Sequence, residues 1–371
     1  MTATATDWAP RARALADELR AKGALSSDVV ADAIASVPRH LFVTGHYAHG
    51  QHTTVDPAQP TDEHLSVIYR DIGVMTHTPS DKAGGYSSTS QPSIVAKMLE
   101  AAHLTPGMRV LEIGAGTGWN AALIAHITGA PVHTVEASDL VAAEAREALT
   151  RASADHVTVH SADGYTGHPA DGPYDLITVT CGIAGIPTGW LDQLAPGGTI
   201  LAPIALGGTH PLTRVHATPD GAAGQLVTMA DFMAARGPLY ADATPSPATA
   251  GTALAAPTPT HAVHFPDPLE RPAYIDLWMY LATHDPRTTC AGAQGTTEYT
   301  GCAVVQDRDT VVYVQPTGIH PTPAATDLAA QTLDRIAAWT NAGRPPMSTW
   351  RAPLVPGGDP SAPLLVPHWT S

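Results

Sequence analysis

The stretch that most limits the fold is RVLEIGAGTGWNAALIA, residues 109–125: a short apolar strand pattern, three glycines spaced GxGxG, then a helical pattern. Glycine lets the backbone turn sharply and lets a ligand approach the main chain, while the first helical turn beyond it offers free N–H groups. Such a turn needs a strand before it and a helix after it. The following sequence keeps to that plan. Strand patterns at 109–114, 131–137, 157–163, 174–180 and 197–204 alternate with helical patterns at 118–128 and 139–152. Alternation of this kind predicts a parallel sheet in a doubly wound α/β domain, with ligands at the carboxyl ends of the strands.

Three of those strand ends carry polar chemistry. The first runs into Gly114, Gly116 and Gly118, the second ends at Glu136, and the third ends in Asp163-Gly164. An acid at the second position is placed to accept hydrogen bonds from ribose hydroxyls. In isolation Glu136 reads equally as a solvated strand end and Asp163-Gly164 as a turn; in register with the glycines they read as a nucleotide-type site. A dinucleotide fingerprint would put a third glycine inside the helix, where this chain has Trp119. Glu112, two residues before the first glycine, and the lack of a lysine after the glycines also fit an adenosyl sulfonium better than a pyrophosphate. The reading is a methyl donor.

Ahead of this unit, helical patterns cover 9–22 and 27–37, a loop-rich region covers 38–85, and a helix is expected over 92–103. Behind it comes a hairpin around Asp220-Gly221, then an Ala-, Pro- and Thr-rich linker over 241–261. Beyond the linker the patterns give a helix at 271–283, a hairpin turning near Asp307-Arg308-Asp309, and a helix at 324–341 stopped by Gly343. The expected division is therefore 1–85, helical and loop; 86–240, cofactor-binding domain; 241–262, linker; and 263–371, an accessory unit.

A net charge of −15 argues against a grip on nucleic-acid phosphates and suits small-molecule or peptide substrates. The three cysteines, Cys181, Cys290 and Cys302, have no CxxC spacing, so neither a disulfide framework nor a zinc site follows. The nineteen histidines stand singly in sequence, and no metal is expected. No apolar signal core or membrane-length run is present, which gives the expectation of a cytoplasmic chain without a membrane partner.

The residues then resemble a family, the protein-L-isoaspartate O-methyltransferases. The likeness runs over about residues 34–240 through SVPRHLFV, STSQPSIVAKMLEAA, RVLEIGAGTGWNAALIA, VHTVEAS, SADG, PYDLITVT and QLAPGGTILAPI, and its most specific element is TSQP before the helix at 92. The resemblance implies a Rossmann-like class I fold dependent on S-adenosyl-L-methionine, with S-adenosyl-L-homocysteine as product; the residue patterns add the N-terminal helices and a smaller C-terminal α+β unit. It also implies Ser90 as the active-site residue, with Ser87, Ser88 and Thr89 beside the cofactor. Gly114, Gly116 and Gly118 would form the cofactor loop, Glu136 the ribose acid, and Asp163 with Gly164 the adenine-side pair; Glu112 is counted with the cofactor-binding residues from its place before the first glycine. A serine before a helix is otherwise an ordinary N-cap, and the two roles can coexist.

Residues 241–371 extend past the length usual for the repair enzymes, and the TCGIAGIP loop (180–187) departs from the usual pattern; Cys181 there reads as a free structural cysteine. Such an extension resembles an actinobacterial branch that methylates aspartate in cross-linked, ribosomally made precursor peptides, the ester then closing to aspartimide. Phe265, Tyr274, Trp278 and Tyr280 would line a peptide groove or fill the small unit's own core. The alternatives are repair of L-isoaspartyl sites in proteins, a pocket that binds the donor without transfer, and a small-molecule methyltransferase.

Overall fold

A computed structural model describes residues 7–78, 86–230, 232–240, 262–291 and 301–369; the expected linker at 241–261 lies outside them. The chain forms two compact units, one of residues 1–181 and 187–202, the other of residues 182–186 and 203–371.

The first unit begins with α1 (Ala9–Ala21) and α2 (Asp28–Ser36). The apolar stripe of α1 buries Ala12, Leu15, Ala16 and Leu19, and the Ser27 hydroxyl caps α2 by accepting from the Val30 N–H. The region expected as loop is more ordered than that. It holds β1 (Gly45–Ala48), β2 (Gln51–Thr54), α3 (Asp62–Ile68) and β3 (Val74–His77). A two-residue turn at His49-Gly50, both at positive φ, closes β1 on β2, and a Thr61–His64 capping box starts α3. These signals are short and polar, and an apolar-periodicity reading passes over them.

Next come β4 (Ser87–Thr89), antiparallel to β3, and α4 (Pro92–Ala102). Then β5 (Val110–Ile113), α5 (Trp119–Thr128), β6 (Val132–Glu136), α6 (Asp139–Arg151), β7 (Val157–Ser161) and β8 (Tyr174–Val179) alternate as the sequence predicts. The chain continues through β9 (Ile186–Pro187) and α7 (Thr188–Leu191) into β10 (Leu194–Pro203). The strands of this unit pair in the order β7-β6-β5-β8-β10, all parallel. Every residue of β5 is buried, as a central parallel strand covered on both faces requires. The expected Rossmann-like α/β sheet is what forms.

The second unit starts at the hairpin of β11 (Pro211–Thr218) and β12 (Gly221–Met229), turning at Asp220-Gly221 as expected. It contains β13 (Val263–His264), α8 (Arg271–His284), β14 (Thr288–Ala291), β15 (Gly301–Val305), β16 (Val311–Gln315), β17 (Gly318–Pro321), α9 (Thr326–Asn341), β18 (Arg351–Asp359) and β19 (Ala362–Pro367). Strand β12 pairs with β18, and β18 with β19; a second, antiparallel sheet runs β13-β17-β16-β15-β14. The β12–β18 ladder moves the expected boundary. Residues 203–240 go with the C-terminal unit because their hairpin is completed by a strand more than a hundred residues later, a pairing no local pattern announces.

Tyr274, Trp278 and Tyr280 are buried together with Leu277, Leu328 and Trp339, and Phe265 packs against them. The Tyr274 hydroxyl donates to the Val314 carbonyl. These aromatics fill the unit's own core, so of the two expectations the peptide groove is not met. No helix among the described residues is long and apolar enough to cross a membrane.

Candidate active site

The glycine turn and the hydroxylated strand meet. An ideal Cβ on Gly116 would come within 3.4 Å of the Ser88 carbonyl oxygen, so the β4 backbone lies directly against the loop. Gly114, at φ +97°, leaves no room either: a Cβ would sit 2.6 Å from Thr180 Oγ1. That hydroxyl donates to the Gly114 carbonyl and holds the turn to the end of β8. Gly118 is the N-cap of α5 at φ +87°. Side chains at these places would collide or strain the turn, which is why the spacing is glycine.

Strand alternation sorts the hydroxyls. Ser87 and Thr89 point to the buried side, and Ser88 to the other. Ser87 Oγ and Thr89 Oγ1 are fully buried, and neither has a hydrogen-bond partner among the described residues. A buried hydroxyl without a partner costs about 1–3 kcal/mol, so two such groups beside a glycine turn fit a polar ligand. Ser87, Gly116 and Thr117 line a small solvent-open cleft together with Thr76, His77 and Glu144.

Ser90 lies just beyond β4. The N-cap of α4 is Gln91, which makes no side-chain cap bond, so Ser90 is not the cap that its position suggests. Asp71 supplies that function from outside the helix, its carboxylate accepting from the Ser93 N–H at 2.8 Å. Lys22 lies 2.9 Å from Asp71, and the hydrogen bonds from Lys22 and Ser93 outweigh burial to hold its carboxyl below the ordinary range.

What fixes the Ser90 backbone is Arg39, which sequence reading placed only inside the quoted SVPRHLFV. Arg39 is wholly buried. Its guanidinium donates to the carbonyls of Ile68, Arg70, Ile72, Thr89 and Ser90, the last at 2.9 Å. It also lies over the Trp119 ring, 5.0 Å from the centroid. Burial lowers its pKa to about 9. Five carbonyl dipoles thus take the place of a counter-ion, a geometry that the planar guanidinium fork suits and an ammonium does not. The only signal available in sequence is a basic residue in an otherwise apolar run.

The acids divide. Glu136 ends β6 with one oxygen accepting from the Gly116 N–H and the other from the Ser138 N–H, both at 3.1 Å. Each oxygen keeps a further lone pair for a ligand hydroxyl. Asp163 is exposed beyond β7; one oxygen accepts from the Tyr165 N–H at 2.9 Å. Gly164 beside it is buried, and its carbonyl accepts from Trp190 Nε1. Glu112 is different. It has no exposed surface, and its oxygens accept from Asn120 Nδ2 at 2.8 Å and Thr134 Oγ1 at 2.5 Å. Burial pushes its pKa up to about 7. Through these two bonds Glu112 braces α5 against β6. Burial likewise pushes the Cys181 thiol up to about 12, leaving it protonated, as a structural cysteine would be.

Histidines that stand singly in sequence also meet in space: His133, His160, His168 and Asp171 each place a ligand atom within 4.8 Å of the others. The register of β6 with β7 and the turn after β7 bring together residues that are far apart in the chain.

A profile of the protein-L-isoaspartate(D-aspartate) O-methyltransferases matches residues 10–233, more than half of the chain. The chain belongs to this family. Its members are S-adenosyl-L-methionine-dependent methyltransferases. Enzymes named protein-L-isoaspartate O-methyltransferase are similar to it: one from Pyrococcus horikoshii is 38% identical over 186 residues, covering 50% of this chain and 74% of that one. Another, from Roseiflexus castenholzii, is 36% identical over 214 residues, covering 58% and 86%. The match to the Thermotoga maritima enzyme, 36% identical over 182 residues, spans 48% of this chain and about half (51%) of that relative's length. A solved protein-L-isoaspartate O-methyltransferase superposes with a TM-score of 0.54 at 25% identity, covering 95% of this chain and 98% of its own.

Proposed function

We propose that this methyltransferase esterifies the side-chain carboxylate of an L-isoaspartyl residue in a protein or peptide. The observation that carries the reading is the meeting of β4, which runs straight into Ser90, with the glycine turn. When bound, S-adenosyl-L-methionine supplies an electrophilic methyl on a sulfonium. The chain's residues do the rest. Gly114, Gly116 and Gly118 let the loop approach the donor, Glu136 accepts from ribose hydroxyls, and Asp163 with Gly164 lies on the adenine side. Ser87 and Thr89 offer their buried hydroxyls to the donor's polar end.

A carboxylate, with a pKa of about 4, is already nucleophilic at neutral pH, so no general base is needed. The work of the site is positioning. Ser90 donates a hydrogen bond to one acceptor oxygen and leaves the other directed at the methyl. A neutral hydroxyl suits this role better than a cation, which would draw charge from the nucleophile. Arg39 acts at one remove, through the Thr89 and Ser90 carbonyls.

The narrower reading, aspartate methylation in a cross-linked precursor peptide followed by aspartimide closure, drew on residues 241–371 as the mark of a separate branch. A solved isoaspartate methyltransferase covering 95% of this chain takes away that distinction, and the expected aromatic groove is core. What still favours it is the departure of the TCGIAGIP loop. Mass spectrometry with S-adenosyl-L-methionine and two acceptors separates the readings. A 14 Da gain on a linear isoaspartyl peptide, with none on a constrained Asp-Gly peptide, supports the proposal. Methylation of the constrained peptide alone, followed by methanol loss, replaces it with the narrower reading.

A further inference from the structure

The group formed by His133, His160, His168 and Asp171 is built by the sheet and by the turn that follows β7. Thr134 and Glu112 pair across β6 and β5 and join their side chains on one face. His133, one residue earlier, therefore points to the opposite face. His160 pairs with Val135, two rungs along from His133, and so shares that face. The turn between β7 and β8 then brings His168 and Asp171 over the same spot.

We propose that these four side chains form a structural site for a divalent first-row transition metal of the Zn²⁺ class. Three imidazoles and one carboxylate are the ligand types such ions take. A four-coordinate ion with bonds of about 2.0–2.1 Å sets its ligand atoms about 3.3 Å apart. His133 Nδ1 and His160 Nε2 are 3.1 Å apart, His133 Nδ1 and Asp171 Oδ2 3.5 Å, and His168 Nε2 and Asp171 Oδ2 2.7 Å. The His160 and His168 rings, now stacked with centroids 3.7 Å apart, would splay on binding by side-chain rotation alone.

The backbone under the ligands is fixed by other groups. The His168 N–H donates to Gln193 Oε1 at 2.8 Å, its carbonyl accepts from the Tyr174 hydroxyl at 2.6 Å, and Gln193 Nε2 donates to the Thr166 carbonyl at 2.9 Å. Arg109 donates to the Asp171 carbonyl. These bonds hold the turn in place without calling on the ligand atoms themselves. The Asp171 side chain is 46% exposed and gives an ion a way in, while those of His133 and His168 are 15% and 20% exposed. All four positions are filled by protein, so the ion ties the turn after β7 to the sheet and leaves no place for chemistry.

The test is titration of tag-free, chelator-stripped full chain with Zn²⁺ and Co²⁺, read by equilibrium dialysis, visible absorption and thermal melting. The expected result is one equivalent per chain, the intense visible bands of four-coordinate Co²⁺, and a melting midpoint raised by about 5–10 °C at a hundredfold excess over Kd. The His160→Gln/His168→Gln double variant loses all three. His126→Gln, which alters a separate exposed His126–Asp32 pair, keeps them. Should the double variant not fold, Asp171→Asn, at an exposed position, weakens uptake roughly tenfold or more. Absence of stoichiometric uptake, or uptake undiminished in these variants, overturns the proposal and leaves a hydrogen-bonded histidine cluster.

Discussion

The two walls of the candidate pocket are held in opposite ways. The glycine turn is fixed locally: Gly114, Gly116 and Gly118 take up positive φ, and the nearest strand ends brace them. The hydroxylated wall, β4 and Ser90, is fixed from a distance by Arg39, about fifty residues upstream in sequence, through the Thr89 and Ser90 carbonyls. A locally built wall tolerates change elsewhere in the unit. A remotely built one depends on a buried cation as well as on its ladder to β3.

Arg39→Ala therefore has the largest expected effect. It strands five carbonyls and empties the space over Trp119. The cost to stability is about 4 kcal/mol or more. Arg39→Lys should recover only part of it, because an ammonium cannot reproduce the fork. Denaturant melts of both variants check this. A loss under about 1 kcal/mol in Arg39→Ala would mean that β4 holds itself in place and the contrast between the walls is false.

The same contrast explains what could be read from sequence. The parallel sheet, the glycine turn, Glu136 and the Asp163-Gly164 strand end were legible because each is a local pattern repeated at strand ends. Arg39, Asp71 and Thr180 were not, since their partners lie 22 to 67 residues away. Ser90 is not the cap for a related reason: Asp71 already accepts from the Ser93 N–H that a cap at Ser90 would take. The histidine cluster was hidden because strand register brings His133 and His160 together, and spacing along one segment does not show register. The hairpin at 211–229 was legible, but its allegiance to β18 was not.

Behind the local wall, Glu112 gives a pH signature. The folded chain holds its proton to about pH 7, whereas an ordinary glutamate releases it near 4.5. Between those values the unfolded chain binds fewer protons, so stability is full below pH 4.5 and falls as pH rises towards 7. The difference is on the order of 3 kcal/mol. Glu112→Gln should flatten that slope, as urea melts at pH 5 and pH 7 would show. A slope unchanged in the variant would place the titrating group elsewhere.

Ser90→Ala touches the remote wall at its tip. Loss of one hydrogen bond to a charged acceptor, about 1.5–3 kcal/mol, predicts a fall in kcat of roughly 10–100-fold with donor affinity little changed. Unchanged turnover would strip Ser90 of its place beside the acceptor, and β4 would serve the donor alone.

Glu136→Ala makes the reverse change on the local wall. Its carboxylate anchors the Gly116 N–H and the Ser138 N–H, and in the proposed complex it also accepts from ribose. Because Gly114 and Gly118 keep the turn in shape through their own φ values, the loop should survive. The net loss is then that of one ordinary to strong hydrogen bond, about 1.5 kcal/mol, or roughly tenfold in Kd for S-adenosyl-L-homocysteine, with kcat at saturating donor nearly intact. Calorimetric titration gives the first quantity and steady-state kinetics the second. A tenfold loss confined to Kd would establish that the two walls divide the work, donor on one and acceptor on the other. Equal affinity would remove Glu136 from the donor site, and a matching fall in kcat would show that the local wall also sets the geometry of transfer.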